Sequence, residues 1–413
     1  MTDAGTAAEP RIPRAAWFAV LGVALAARVA FALVTPRVIA WPDGREFEAV
    51  ARSLVEHGTY GLQTLRPPGY PTLIAGVYAT FGPNLLSLRL VEGVLGTVSV
   101  ALLGWVGAGL FGPRAGLIAA ALMALHPVLA FLPSTQYSES TVVLSLVLAF
   151  AAFFAAWRRG AAWRWALAGV LFGVSALVRP NTVFMLPGLG LGLLLAPRPP
   201  AGGRLVPGLI ALLALVATLT PWIVRGHQVH GRWYFVASGG GRQFWVGNNA
   251  RATAETTSPT QWNAAELESL ARQPDELAQE RWLYREGMRF VRAEPARAGR
   301  LYLKELGNLF ALWPETFSRT RFVNGWSRWS QGLASAVIFL GVLLALPRMR
   351  TDPVVWPILG AIASFALASA AFFTVMRYRM SIEPCLLWLA GAGWAAALGG
   401  RAASGRGTQS VKR

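Results

Sequence analysis

Long apolar runs recur along this chain, each of roughly 17 to 25 residues, the length that crosses a ~30 Å hydrocarbon layer. Within lipid only a helix (or a closed barrel) satisfies its own backbone, so these runs are expected to be membrane-spanning helices. With 54% hydrophobic and 14% charged residues over 413 positions, the chain is too apolar for an ordinary soluble protein. The runs place spans near 15–35, 84–111, 115–131, 140–157, 163–178, 182–196, 205–224, 331–347, 353–373 and 381–399, about ten in all. The expected class is an all-α polytopic membrane protein. The first run is long enough to span and has no cleavage site, so it reads as a helix rather than a removable leader.

The formal charge of +18 does not point to nucleic acid, because the arginines sit between apolar runs rather than on one soluble face. Their distribution instead sets an orientation. Arg11, Arg14, Arg114, Arg158, Arg159, Arg164, Arg198, Arg204, Arg348 and Arg350 fall in alternate connections, and Arg401, Arg406, Lys412 and Arg413 in the tail. The short connections 132–139 and 178–181 hold only Arg179. The positive-inside rule then puts both termini in the cytoplasm of a bacterial-type plasma (inner) membrane.

Four regions follow: a membrane module over 1–224 with a long first outer loop at 36–83, an outer loop region at 225–330, further spans over 331–400, and a tail at 401–413. In the first outer loop, Phe47, Val50, Ala51, Leu54 and Val55 recur at helical spacing opposite Arg45, Glu48 and Arg52, which predicts an amphipathic interfacial helix. Gly58 is expected to cap its C-terminus. The second outer region carries a glycine run (Gly239, Gly240, Gly241) and a helix expected over about 276–293. Outer segments this long usually carry function.

Candidate chemistry gathers at the outer ends of the spans. Asp43, in a Trp-Pro-Asp-Gly turn, reads equally as a helix N-cap and as a general base; Glu46 follows one turn on. Arg66 heads the stiff sequence Arg66-Pro67-Pro68-Gly69-Tyr70-Pro71, where a guanidinium fork suits an anionic phosphate or snorkels to lipid head groups. Glu139 stands at a span entry, where a carboxylate demands a partner: Arg66, Arg179, a metal, or the helix end itself. Arg179, Arg377 and Arg379 occupy further outer turns. Arg89 and Glu92, one turn apart, read as a structural pair, and His126-Pro127 as a kink or helix end. Gln243, Asn248 and Asn249, among glycines and aromatics, offer groups that bond to sugars or close tight turns. The single Cys385 permits no disulfide framework or Cys/His metal cluster. There is no P-loop lysine motif, HExxH, GxSxG or DxD pair, so chemistry powered by a soluble nucleotide has no support.

The order of Asp43, RPPGYP (66–71), GNN (247–249) and RYRMSIEP (377–384) resembles the membrane glycosyltransferases of the GT-C fold that use polyprenyl-phosphate sugars. That group includes protein O-mannosyltransferases and lipid A aminoarabinose transferases. The resemblance implies that Asp43 is the catalytic carboxylate and that Arg66, with Arg179, Arg377 and Arg379, binds the donor phosphate. It implies Glu139 and Glu46 as supporting acids, and Tyr70, Gln243, Asn248 and Asn249 as sugar or acceptor contacts. The donor would be a polyprenyl-phosphate-linked sugar in the membrane lipid, and the acceptor a glycan, glycolipid or protein. No metal ligand set is assigned, although the resemblance leaves room for a divalent ion. The chain departs from the pattern at Gly44, where protein mannosyltransferases have Glu, and at Leu65, where aminoarabinose transferases have Glu. It is also shorter, with no C-terminal soluble domain. The alternative is a transporter or flippase of a lipid-linked saccharide, although transporters tend to carry midplane charges and repeated halves.

Overall fold

The computed structural model describes residues 12–197, 203–254, 262–313, 326–348 and 352–404. Of the basic residues used above for orientation, Arg11, Arg198, Arg350, Arg406, Lys412 and Arg413 lie outside them, as do residues 255–261 of the second outer region. Among the described residues the secondary structure is helical throughout, with no strand.

Helix α1 (Arg14–Val34) is the first apolar run, and α2 (Pro42–His57) the amphipathic helix that follows it. Then come α3 (Gly69–Phe81), α4 (Leu85–Phe111) and α5 (Pro113–Leu125). The chain breaks by 62° at His126 before the short α6 (Pro127–Phe131), since Pro127 cannot continue the ladder of α5. Next are α7 (Glu139–Arg159), α8 (Ala162–Val178), α9 (Leu186–Leu195) and α10 (Leu205–His230). Four shorter or polar helices follow: α11 (Gly240–Gly247), α12 (Ala264–Ala271), α13 (Glu276–Ala293) and α14 (Pro295–Leu309). The chain then returns to apolar helices α15 (Trp326–Ala345), α16 (Val355–Ser369) and α17 (Glu383–Ser404).

Five of the described helices are each long and apolar enough to cross a membrane, six if the bent pair at His126 counts as one. Ala162–Val178, Pro180–Leu195 and Val355–Ser369 are apolar but shorter. The expected run at 182–196 is thus split, because Pro180 starts a tight 3-10 segment (Pro180–Met185) before α9 begins. Short helices are held by close packing. A Cβ at Gly188 of α9 would lie 1.8 Å from the carbonyl oxygen of Gly360 in α16, so the two backbones touch there. At the centre, α17 is enclosed: Trp388 is fully buried, packs edge-on to Phe150, and donates its indole N–H to the Leu103 carbonyl at 2.9 Å.

Helix α2 forms as its periodicity dictates. Pro42 occupies the first turn, where its missing N–H has no partner to lose, and Gly58 ends the helix at φ +66°. Phe47, Val50 and Ala51 are buried, but two assignments change sides. Glu48 faces inward, bonded to Arg52 at 2.7 Å, while Val55 is exposed. Arg89 likewise donates to the carbonyls of Thr35 and Pro36 instead of pairing with Glu92.

Candidate active site

Asp43 lies in the first turn of α2 but does not cap it. The N-cap is Trp41, which has no side-chain acceptor, and both Asp43 oxygens are engaged by side chains outside the helix. Oδ1 accepts from Arg66 Nη2 at 2.8 Å, and Oδ2 accepts from Arg377 Nη2 at 2.9 Å. One carboxylate therefore bridges two guanidiniums supplied by segments 311 residues apart along the chain, from Arg66 to Arg377. Arg66 also donates Nε to Glu46 at 2.7 Å and lies over the Phe47 ring. Arg377 covers the Tyr137 ring at 4.2 Å, with Nε 3.5 Å from Glu139 Oε1. Glu139 in turn meets Arg179 Nη1 at 2.5 Å, and Arg179 lies over Tyr378. Three guanidiniums and three carboxylates thus form one chain of contacts.

The cluster is half-open. Asp43 keeps 29% of its side-chain surface exposed, against 18% for both Arg66 and Arg377. Two donors are unused: Arg377 Nη1 and Arg179 Nε are buried without a hydrogen-bond acceptor among the described residues. Burial alone would raise the Asp43 pKa. The charges of Arg377 and Arg66, and their hydrogen bonds, outweigh it and hold the carboxyl well below its ordinary value. Burial lowers the Arg377 pKa, but Glu139, Tyr378 and Asp43 more than restore it, so the cation is locked on.

Local sequence explains how the parts arrive. A Cβ at Gly69 would fall 2.8 Å from the Val178 backbone nitrogen, so RPPGYP lies directly against the end of α8, beside Arg179. Gln63 accepts from the Arg66 N–H at 2.8 Å, and Tyr60 donates to the Pro68 carbonyl at 2.6 Å, fixing the turn. Gly44 is equally constrained: a Cβ there would meet Ile39 at 2.9 Å and Gln136 at 3.2 Å. The departure from Asp-Glu at 43–44 therefore matches a close approach. Gln136 adopts φ +57°, turning the chain so that Tyr137 and Glu139 reach the arginines.

Several predicted residues lie elsewhere. Arg379 points away from Asp43 and is fully buried, bonded to Glu383, Ser335 and the Ala311 carbonyl. Tyr70 is buried against Phe47. Asn248 donates to the Phe244 and Ala371 carbonyls, and Asn249 to Trp245 and Val246, so both amides brace α11. Gln243 contributes its backbone carbonyl to the Phe373 N–H. Sequence reading missed Tyr137 and Tyr378, the aromatic beds of the arginines, although each lies within two residues of a charged candidate. It also missed Glu276 and Glu305, which bond Thr64 and Thr374; single acids on amphipathic helices carry no distinguishing pattern. Among the described residues, no three His, Cys, Asp or Glu side chains converge as a metal site. Asp43 and Glu46 are instead drawn together by Arg66.

Comparison with known structures identifies the fold class: a polytopic membrane protein of the GT-C type. The archaeal oligosaccharyltransferase AglB from Archaeoglobus fulgidus, in complex with an inhibitory peptide and a dolichol-phosphate, matches at TM-score 0.54 and 13% identity, over 97% of this chain and 53% of its own. The apo form of the oligosaccharyltransferase from the same organism gives TM-score 0.56 and 14% identity, over 94% and 52%. This chain thus spans about half the length of those proteins. ArnT from Cupriavidus metallidurans, bound to undecaprenyl phosphate, aligns at TM-score 0.48 and 14% identity, over 97% and 82%. Residues 65–224, less than half of the chain, match the family model of dolichyl-phosphate-mannose-protein mannosyltransferases. No curated protein matches the sequence.

Proposed function

We propose that this chain is an inverting glycosyltransferase that moves a sugar from a polyprenyl-phosphate donor to an acceptor at the extracytoplasmic face of a bacterial-type plasma membrane. The observation that carries this reading is the Asp43 carboxylate gripped by Arg66 and Arg377, with further guanidinium donors unused beside it. A base next to phosphate-seeking groups is what transfer from a lipid phosphate requires. The match of 65–224 to a family named for a dolichyl-phosphate donor supports the same donor class.

A glycosidase needs a second carboxyl to protonate its leaving group. A lipid phosphate departs as a stable anion, so one base suffices. The acceptor oxygen or nitrogen attacks the anomeric carbon from the face opposite the phosphate. The bond from that carbon to the phosphate oxygen breaks, its electron pair leaves with the phosphate, and the acceptor's proton passes to Asp43. Arg66, Arg377 and Arg179 stabilise the charge gathering on the departing phosphate. In the resting site Asp43 is a weak base, because two cations hold its pKa down. A phosphate that shares those guanidiniums weakens their hold on Asp43 as the donor arrives. Acceptors of this reading are a glycan, a glycolipid or a protein.

The test is a transfer assay in membranes with a panel of polyprenyl-phosphate sugars, comparing wild type with Asp43→Asn. One donor is expected to give product with wild type only. Near-normal turnover by Asp43→Asn removes the role of the carboxylate. Movement of intact lipid-linked saccharide across the bilayer without transfer would establish the transporter reading instead.

A further inference from the structure

The two arginines that grip Asp43 are each anchored by a glutamate from a different helix. Glu276, at the start of α13, accepts from the Thr64 N–H at 2.7 Å and from the Thr64 hydroxyl at 2.5 Å, both on one oxygen. Thr64 precedes Arg66 by two residues. Its hydroxyl also lies 2.6 Å from Ser238 Oγ, and its carbonyl accepts from the Ser238 N–H at 2.9 Å. Glu305, on α14, offers a similar arrangement: one carboxylate oxygen accepts from the Thr374 N–H at 2.9 Å and lies 2.7 Å from the Thr374 hydroxyl, which has the Glu305 backbone carbonyl as a second acceptor at 2.7 Å. Thr374 precedes Arg377 by three residues. Thr64, Thr374 and Glu305 are buried, so the Glu305 bonds are shielded from competing water, whereas Glu276 reaches Thr64 from an exposed position.

We propose that Glu276 and Glu305 are positioning residues that set the spacing of Arg66 and Arg377 around Asp43. The inference rests on the reading of that trio as the transfer site. Helices α13 and α14 are consecutive, joined at Glu294-Pro295, so their two clamps form a jig across which the guanidiniums face each other. The Asp43 oxygens fill the gap at 2.8 and 2.9 Å. Neither glutamate touches the reacting groups. Each acts through a threonine and a short stretch of backbone, where misplacement by an ångström lowers rate steeply.

The experiment pairs steady-state kinetics with equilibrium binding of undecaprenyl phosphate to detergent-purified protein. Glu276→Ala and Glu305→Ala are each expected to raise donor KM, and the dissociation constant for undecaprenyl phosphate, by about tenfold, leaving acceptor KM within about twofold. Glu276→Gln and Glu305→Gln keep a carbonyl oxygen for the threonine and are expected to stay near wild type. A purely structural role is separated by double-mutant cycles. Glu276→Ala should add little in an Arg66→Gln background yet act fully in Arg377→Gln, and Glu305→Ala the converse. Where an alanine variant does not fold, Thr64→Val and Thr374→Val remove only the hydroxyl bonds and should show the same pattern more weakly. Uniform effects across both backgrounds, or alanine variants that bind and turn over like wild type, overturn the proposal. If the wild type binds undecaprenyl phosphate but transfers no sugar, the transfer reading fails, while the binding cycles still decide the clamps.

Discussion

Arg377 and Arg379 leave the same 3-10 turn (Met376–Ser381) in opposite directions and enter two different kinds of ion-pair cluster. Around Arg379 every guanidinium nitrogen is engaged. Nε donates to Glu383 at 2.9 Å, Nη2 to Ser335 at 2.8 Å and Nη1 to the Ala311 carbonyl at 3.1 Å, while His126 lies 3.4 Å from the other Glu383 oxygen. Arg379 and Glu383 have 0% exposed side chains. Around Arg377 the contacts are as short, but the cluster opens at Asp43 and one guanidinium nitrogen has no acceptor. Engagement of every Arg379 guanidinium nitrogen in a dry interior marks a brace, which here fixes the turn behind the site. Partial exposure with unused donors is what the proposed phosphate site requires.

The largest expected effect breaks the open cluster without unfolding it. Asp43→Asn is expected to lower turnover by roughly 10²–10⁴-fold, the range of a lost general base. The variant should still fold in detergent, with only a modest fall in melting temperature, because Arg66 retains Glu46 and Arg377 retains Glu139. Loss of folding in this variant would make Asp43 a brace like Glu383 and erase the distinction.

Arg379→Ala is the reverse experiment. It strips Glu383 of its charged partner in a dry interior, which typically costs about 3–5 kcal/mol. A large fall in melting temperature is expected before any assay of transfer, measured by thermal unfolding of purified protein. An Arg379→Ala protein that keeps its melting temperature but loses donor binding would return Arg379 to the phosphate site.

The pairing of these two clusters was only half legible in the sequence. Asp43, Arg66, Glu139, Arg179 and Arg377 are each visible as polar residues at the ends of apolar runs, and they do converge. Nothing local separates Arg377 from Arg379, because residues two apart fall on different sides of either a 3-10 turn or an α-helix and the sequence does not say which side faces the site. The amides of Asn248 and Asn249 read as ligand contacts because loop amides serve either purpose; tertiary packing engages them with backbone carbonyls. The break at His126 and the C-terminal end of α2 were legible, since proline and glycine act through the chain they sit in. Glu276 and Glu305 were not, since a clamp across more than 60 residues has no local signature.

Gly69 offers a smaller perturbation at the edge of the open cluster. Its added methyl in Gly69→Ala would strike Val178 at 2.7 Å and push RPPGYP away from α8. Overpacking of this kind costs about 1–3 kcal/mol. The expected result is a modest drop in melting temperature with a raised donor KM, because Arg66 and Arg179 move apart together with their segments. Unchanged donor KM would show that the Arg66 guanidinium adjusts independently of its backbone.

The smallest effect contrasts two acids that titrate in opposite directions. Asp43 is held below its ordinary pKa, so its contribution to stability is present above about pH 4 and lost only in stronger acid. Glu305 is pushed up by burial from 4.5 to about 6, despite its bonds to Thr374 and Asn308. Between those two values the folded state holds a proton that the unfolded chain has released, so stability falls as pH rises through that window. Above about pH 6 the ionised Glu305 carries a constant penalty of at most about 2 kcal/mol. Glu305→Gln removes the titration while keeping an acceptor for Thr374. Its melting temperature should therefore match wild type near pH 4, exceed it modestly at pH 7.5, and lack the wild-type decline between. Parallel curves for the two proteins from pH 4 to 8 would mean that the Glu305 site is wetter than its contacts indicate, and the Glu305 clamp on Thr374 would then belong with the open cluster rather than with the brace.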